Sequence, residues 1–169
     1  MFRKIIKPKK PSKSSYGCFN CSKKIKNARF GIIGEGELKQ NMINIFEKEG
    51  VSDRVTFTGS LSYPYKAIKQ SKCMLFCSRF EGTPIAGLEA MALGIPIVST
   101  PTDGMKDLIT NNETGFLSDD DNLLAQSIIN LILKEDLNKQ MSKKTLKKFK
   151  EINNEEYYKE KLENIYKEI

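Results

Sequence analysis

The sequence predicts an α/β fold in which a parallel sheet is flanked by helices, and three observations lead there. From Phe30 onward, short apolar runs alternate with helical patterns, as repeated strand-helix-strand units require. The runs are close to continuously apolar, as in Cys73-Met74-Leu75-Phe76-Cys77, which suits strands covered on both faces. Glycines stand where a strand must turn or a helix must stop, at Gly34, Gly36, Gly50, Gly59 and Gly94. The 169 residues are enough for one such unit and too few for two.

Phe30-Gly31-Ile32-Ile33 reads as a strand closed by Gly34-Glu35-Gly36, and Leu38, Met42, Ile45 and Phe46 fall at helical spacing within residues 37–49. Residues 54–58 make the next strand, Tyr65–Lys69 a short helix and Cys73–Cys77 a third strand. Pro84 opens a helix that runs to about residue 93, because proline suits the first helical turn. Ile95-Pro96-Ile97-Val98 reads as a further strand, followed by a short helical turn at 105–109 and a last strand at Gly115–Leu117. Asp119-Asp120-Asp121 precedes the helical pattern Leu123, Leu124, Ser127, Ile128, Leu131 and Ile132. The triplet reads first as a helix cap and second as an acidic metal-binding motif. From about 135 to 167 the chain reads as two helices rich in Lys and Glu. Tyr157, Tyr158, Leu162, Ile165 and Tyr166 form an apolar face there, packing on the sheet domain or on a partner domain.

Three segments follow: a basic head at 1–29, a sheet domain at 30–133 and C-terminal helices at 134–169. The net charge of +7 belongs to the head, which holds ten Lys or Arg and no acid, leaving the remainder near −3. Such a head reads either as a disordered, solvated arm or as a degenerate first strand; contact with phosphate, nucleic acid or anionic lipid is the competing reading. Tyr16 and Phe19 offer stacking surfaces, but no nucleic-acid-binding module surrounds them, which argues against nucleic acid as a partner. No apolar stretch approaches the roughly 18 residues of a membrane span and no secretory block follows Met1, so the expectation is a cytoplasmic protein, at most peripheral to a membrane. Cys18 and Cys21 have a metal-knuckle spacing, yet the chain has no His, and Cys73 and Cys77 read as core thiols.

The chemistry concentrates after the strand ending at Cys77. Ser78-Arg79-Phe80-Glu81-Gly82-Thr83 is a strand-to-helix loop at the carboxyl end of a parallel strand, where ligands gather in open sheets. The helix starting at Pro84 points its positive end at that crevice, so a diphosphate would be held there. Gly82 permits close approach of backbone to an anion, and the amides of Thr83 and Ile85 can donate where Pro84 cannot. Glu89, about one and a half turns into the helix, can accept two hydrogen bonds from a vicinal diol such as ribose. Glu81 faces whatever hangs from the far phosphate. Each residue taken singly reads as a solvated acid or a packing glycine; the combination changes the balance. A dinucleotide-dependent oxidoreductase fails on Gly34-Glu35-Gly36, because Lys39 stands where the third glycine belongs.

Glu81 and Glu89, with Gly and Pro between them and Ala90-Met91-Ala92-Leu93-Gly94-Ile95-Pro96-Ile97-Val98 following, resemble the signature of retaining GT-B glycosyltransferases, the glycosyl transferases group 1, also called family 4. The resemblance covers residues 30–133. It extends to Gly34-Glu35-Gly36-Glu37, to Asp53-Arg54-Val55-Thr56-Phe57-Thr58-Gly59, to Gly104 with Asp107, and to Asn112-Glu113-Thr114-Gly115-Phe116-Leu117. It implies a Rossmann-like sheet, one half of a GT-B fold, and a donor-binding half that transfers a sugar from a UDP- or GDP-linked donor to a glycan or lipid acceptor with retention. Glu81 would contact the donor sugar, Gly82, Thr83, Pro84 and Ile85 the pyrophosphate, and Glu89 the ribose. Backbone at Gly59, Ser60 and Leu61 would border the base. The resemblance implies no metal and no cofactor beyond the nucleotide-sugar substrate.

Two departures from the family pattern stand out. An acceptor-binding domain is missing from the sequence, which implies a separate acceptor domain or a non-catalytic nucleotide-sugar-binding module. The family's central strand, followed by an Arg and a Lys-Gly pair, has only Phe2-Arg3-Lys4-Ile5-Ile6 as a candidate; without that strand its neighbours in the sheet would lack a partner. Lys7, Lys9, Lys10 and Lys13 are the cations the head offers in place of that Arg and Lys.

Overall fold

Six strands, β1 (Lys4–Pro8), β2 (Phe30–Ile33), β3 (Val55–Gly59), β4 (Cys73–Cys77), β5 (Ile97–Ser99) and β6 (Gly115–Leu117), form one sheet in the order β3-β2-β1-β4-β5-β6. Every neighbouring pair runs parallel. This computed structural model describes residues 4–8 and 24–156, together with residues 159, 163, 164 and 166. The helices among them are α1 (Lys39–Lys48), α2 (Tyr65–Lys69), α3 (Ile85–Ala92), α4 (Asp103–Leu108), α5 (Asp121–Leu133) and α6 (Glu135–Ile152).

The candidate central strand is present, at Lys4–Pro8. β1 pairs Ile5 with Gly31 on one side and Met74 on the other, and Pro8 with Cys77. Five residues between lysines and prolines are a faint signal, but a parallel sheet covered on both faces needs this strand, because β2 and β4 would otherwise expose unpaired backbone. The cations Lys9, Lys10 and Lys13 lie outside the described residues, as do Cys18 and Cys21.

Alternation along β4 divides the core. Cys73, Leu75 and Cys77 face a cluster built with Phe30, Ile32, Phe46, Val98, Leu124 and Ile128, while Met74 and Phe76 face a second cluster with Ile68, Ala90, Met91, Ile97 and Met105. The two cysteines are wholly buried, consistent with core thiols. Thus α1 and α5 cover one face and α2, α3 and α4 the other, each fully buried Leu or Phe contributing about 1.5–3 kcal/mol. Helix α6 spans both clusters, with Met141 in the first and Phe149 and Ile152 packed against the second. Its packing on the sheet domain is therefore observed; Tyr157, Tyr158, Leu162 and Ile165 lie outside the described residues, and Tyr166 is exposed. No helix among the described residues is long and apolar enough to cross a membrane.

Two boundaries shift for identifiable reasons. β5 begins at Ile97 rather than Ile95, because Pro96 has no N–H for the ladder; its carbonyl accepts from Met74 N at 3.0 Å. The short helix starts at Asp103, two residues before the expected start, with extended Thr102 ahead of it.

Candidate functional site

The strand order reverses its direction of growth between β1 and β4, and in open parallel sheets such a switch point is where a ligand crevice forms at the carboxyl ends of the strands. β4 ends at Cys77, and residues 78–84 form the wall of the crevice before α3 begins. Pro84 is the N-cap residue, at φ −77° and ψ 89°, with no side-chain cap on the helix. Gly87 N donates to Pro84 O at 2.7 Å and Leu88 N at 3.1 Å, so the amides of Ile85 and Ala86 precede the helical ladder. Among the described residues no side chain caps the positive end of α3.

The loop makes three hydrogen bonds, one between side chains and two that anchor its backbone. The Ser78 hydroxyl donates to Glu81 Oε1 at 2.7 Å. Thr100 Oγ1 donates to the Ser78 carbonyl at 2.8 Å, and Gly104 N donates to the Glu81 carbonyl at 2.9 Å. Gly104 must be glycine because a Cβ there would run into the backbone oxygens of Gly82 and Glu81. Ser78 and Thr100 are buried, Glu81 is half-buried, and Gly82 and Thr83 are exposed on the open side.

A cleft of about 290 Å³ lies between α3 and the ends of β2 and β3, lined by Ala86 and Glu89 of α3 together with Ser60, Leu61, Ser62 and Tyr65; residues 78–85 do not line it. Ala86 and Glu89 are three residues apart and share one helix face. Leu61 is thus brought into the same cleft as Glu89. Gly59 is one step removed: at φ 69° it turns the end of β3 so that its carbonyl accepts from Gly34 N at 2.8 Å, which orients the 60–62 wall. Sequence reasoning did not single out Ser62, Tyr65 or Thr100. Their only signal is position, since each lies within a few residues of a strand's carboxyl end.

The acidic triplet resolves as a cap. Asp120 accepts from Asn122 N at 2.7 Å and Leu123 N at 3.3 Å at the start of α5.

Comparison with known proteins points the same way. The family model described as Glycosyl transferases group 1 matches residues 9–148. An uncharacterized glycosyltransferase of Haemophilus influenzae is 32% identical over 130 residues, 73% of this chain and 36% of that protein. The N-acetyl-alpha-D-glucosaminyl L-malate synthase of Bacillus anthracis is 27% identical over 145 residues, covering 85% and 37%. Among solved structures, a single-site mutant of Staphylococcus aureus TarM in complex with fondaparinux, alpha-GlcNAc-glycerol and UDP superposes with a TM-score of 0.88 at 24% identity, over 98% of this chain and 36% of that one. Anabaena HepE in complex with UDP and glucose gives 0.81 at 16% identity, over 96% and 48%. These structural likenesses show the fold. The chain spans little more than a third of the Haemophilus and Bacillus relatives.

Proposed function

The chain belongs to the glycosyl transferases group 1 family, and from that premise we propose that its sheet domain is the donor-binding half of a retaining glycosyltransferase. The observation that supports this most is the uncapped amino terminus of α3 at the switch point, with a carboxylate before it at Glu81 and another after it at Glu89.

A nucleoside diphosphate would lie across Gly82, Thr83, Pro84 and Ile85, its negative charge met by the first-turn amides and the helix dipole. Glu89 would accept from the ribose hydroxyls, and the base would enter the cleft beside Leu61, bordered by backbone from Gly59 onward. Glu81 would accept from hydroxyls of the donor sugar and hold the anomeric carbon facing the acceptor. When the sugar leaves, charge builds on the diphosphate, and donors already aimed at it lower the barrier. This reading calls for no metal and assigns no covalent nucleophile; attack by the acceptor from the leaving-group face preserves the configuration. The donor is UDP- or GDP-linked, as UDP in the TarM and HepE complexes supports. The acceptor is a glycan or lipid presented by a separate acceptor domain, and the assembly works in the cytoplasm or peripherally at a membrane.

A second reading, a nucleotide-sugar-binding module without turnover of its own, is favoured by the absence from residues 7–29 of the Arg and Lys-Gly arrangement. Sugar transfer by this chain alone separates the two. The donor site itself is tested by calorimetric titration of UDP and GDP into the wild-type chain and Glu89→Ala. Affinity should fall about 10–100-fold in the variant, the effect of removing hydrogen bonds to a charged group. A folded wild-type chain that binds neither nucleotide would defeat the proposal.

A further inference from the structure

We propose that Ser78 is a positioning residue for the sugar end of the donor site: its hydroxyl sets the orientation of the Glu81 carboxylate. This rests on the reading of Glu81 given above and goes beyond it. Ser78 is only 2% exposed, and its hydroxyl reaches Glu81 Oε1 at 2.7 Å, short enough for a charge-assisted O–H···O⁻ bond. Glu81 sits on a loop and has three side-chain torsions. Without a fixed donor its carboxylate would sample many orientations, and each hydrogen bond to a sugar hydroxyl would have to offset that lost freedom. A buried donor removes the freedom before the ligand arrives.

The geometry separates this role from simply holding the loop. The path of residues 78–81 is fixed by two other bonds, Thr100 Oγ1 to the Ser78 carbonyl at 2.8 Å and Gly104 N to the Glu81 carbonyl at 2.9 Å. Neither uses the Ser78 hydroxyl. Deleting that oxygen therefore leaves the backbone anchored and the start of α3 in place, while the carboxylate loses the Ser78 hydroxyl as a donor. Ser78 touches no part of the donor in this arrangement; it acts through Glu81.

The readout is the ratio of affinities for a nucleotide-sugar and its bare nucleotide. Titration of UDP, UDP-glucose and UDP-GlcNAc into the full chain, with GDP and GDP-mannose in parallel, gives this ratio for wild type, Ser78→Ala, Glu81→Gln and the double variant. Ser78→Ala should lower the ratio about five- to tenfold, within the range of an ordinary net hydrogen-bond contribution because the effect is felt through Glu81, and leave the affinity for the bare nucleotide within about twofold. Because a positioning residue has nothing left to position once its target is altered, the double variant should match Glu81→Gln alone. Ser78→Thr, which keeps the hydroxyl, should restore most of the ratio.

An unchanged ratio in Ser78→Ala beside a lowered one in Glu81→Gln overturns this proposal and spares the parent reading. An unchanged ratio in Glu81→Gln, or a folded wild-type chain that binds no nucleotide, overturns both. Loss of bare-nucleotide binding in both Ser78→Ala and Ser78→Thr would show that Ser78 holds the loop rather than the carboxylate, and overturns the proposal as well.

Discussion

Helices α3 and α5 start in equivalent places, each just beyond the carboxyl end of a parallel strand, yet their first turns are finished in opposite ways. Asp120 folds its carboxylate back onto the amides of Asn122 and Leu123, so α5 satisfies its own positive end. Helix α3 has Pro84 at the same position and no side-chain cap, and the nearest acid, Glu81, is tied to Ser78 instead. One end is closed by a side chain; the other has no side-chain cap, as at α1, α2, α4 and α6, and it is the end proposed above to meet a ligand. The difference teaches that a helix terminus becomes a binding element by what is withheld from it. The stability given up at α3 is of the order that a cap supplies, about 1 kcal/mol.

The comparison can be broken most severely at Gly104. Gly104→Val drives a side chain into the Gly82 and Glu81 carbonyls, and should cost about 1–3 kcal/mol in denaturant unfolding and abolish UDP and GDP binding, because the loop that frames the open end must move. A smaller change closes the open end electrostatically. Thr83→Asp places a carboxylate on an exposed residue beside the first-turn amides and should weaken nucleotide binding about tenfold without loss of stability, since acids are favourable at a helix start. Smaller again is Asp120→Ala, which uncaps α5: about 1 kcal/mol of stability should be lost while nucleotide affinity stays unchanged. If Asp120→Ala weakened nucleotide binding as much as Thr83→Asp, the division into a structural and a functional end would fail. The smallest effect is expected from EDTA. Chelation should leave UDP affinity where it was, because helix amides rather than a divalent ion are proposed to meet the diphosphate.

Much of this was legible in the sequence where local patterns suffice. Buried strands such as Cys73–Cys77 announce themselves as apolar runs, and Asp120 announces its cap by standing directly before a helical pattern. The loop from Ser78 to Pro84 was legible because a glycine and a proline between two acids, after a buried strand, point to a strand-to-helix turn. The central strand was legible only as a candidate. Five residues with lysine at two of them resemble the basic head around them, and only the need to pair β2 with β4 gives them a strand's identity. The Ser78–Glu81 bond was equally hidden, because a serine three residues before a glutamate has no fixed geometry until Thr100 and Gly104, more than 20 residues on, lock the backbone between them. Long-range contacts decide both cases, and one-dimensional patterns contain no trace of them.

The central strand has a practical consequence for any shortened version of this protein. The family match begins at residue 9, and a fragment trimmed to that span would lack Lys4–Pro8. The sheet would then fall into a two-stranded ribbon and a three-stranded half, with fresh edges on β2 and β4 facing each other across an empty slot. Each edge would offer unpaired amides and carbonyls to any extended chain nearby. Such a fragment should aggregate or capture a strand from a second molecule, and a peptide containing residues 4–8 added in trans should compete for the slot.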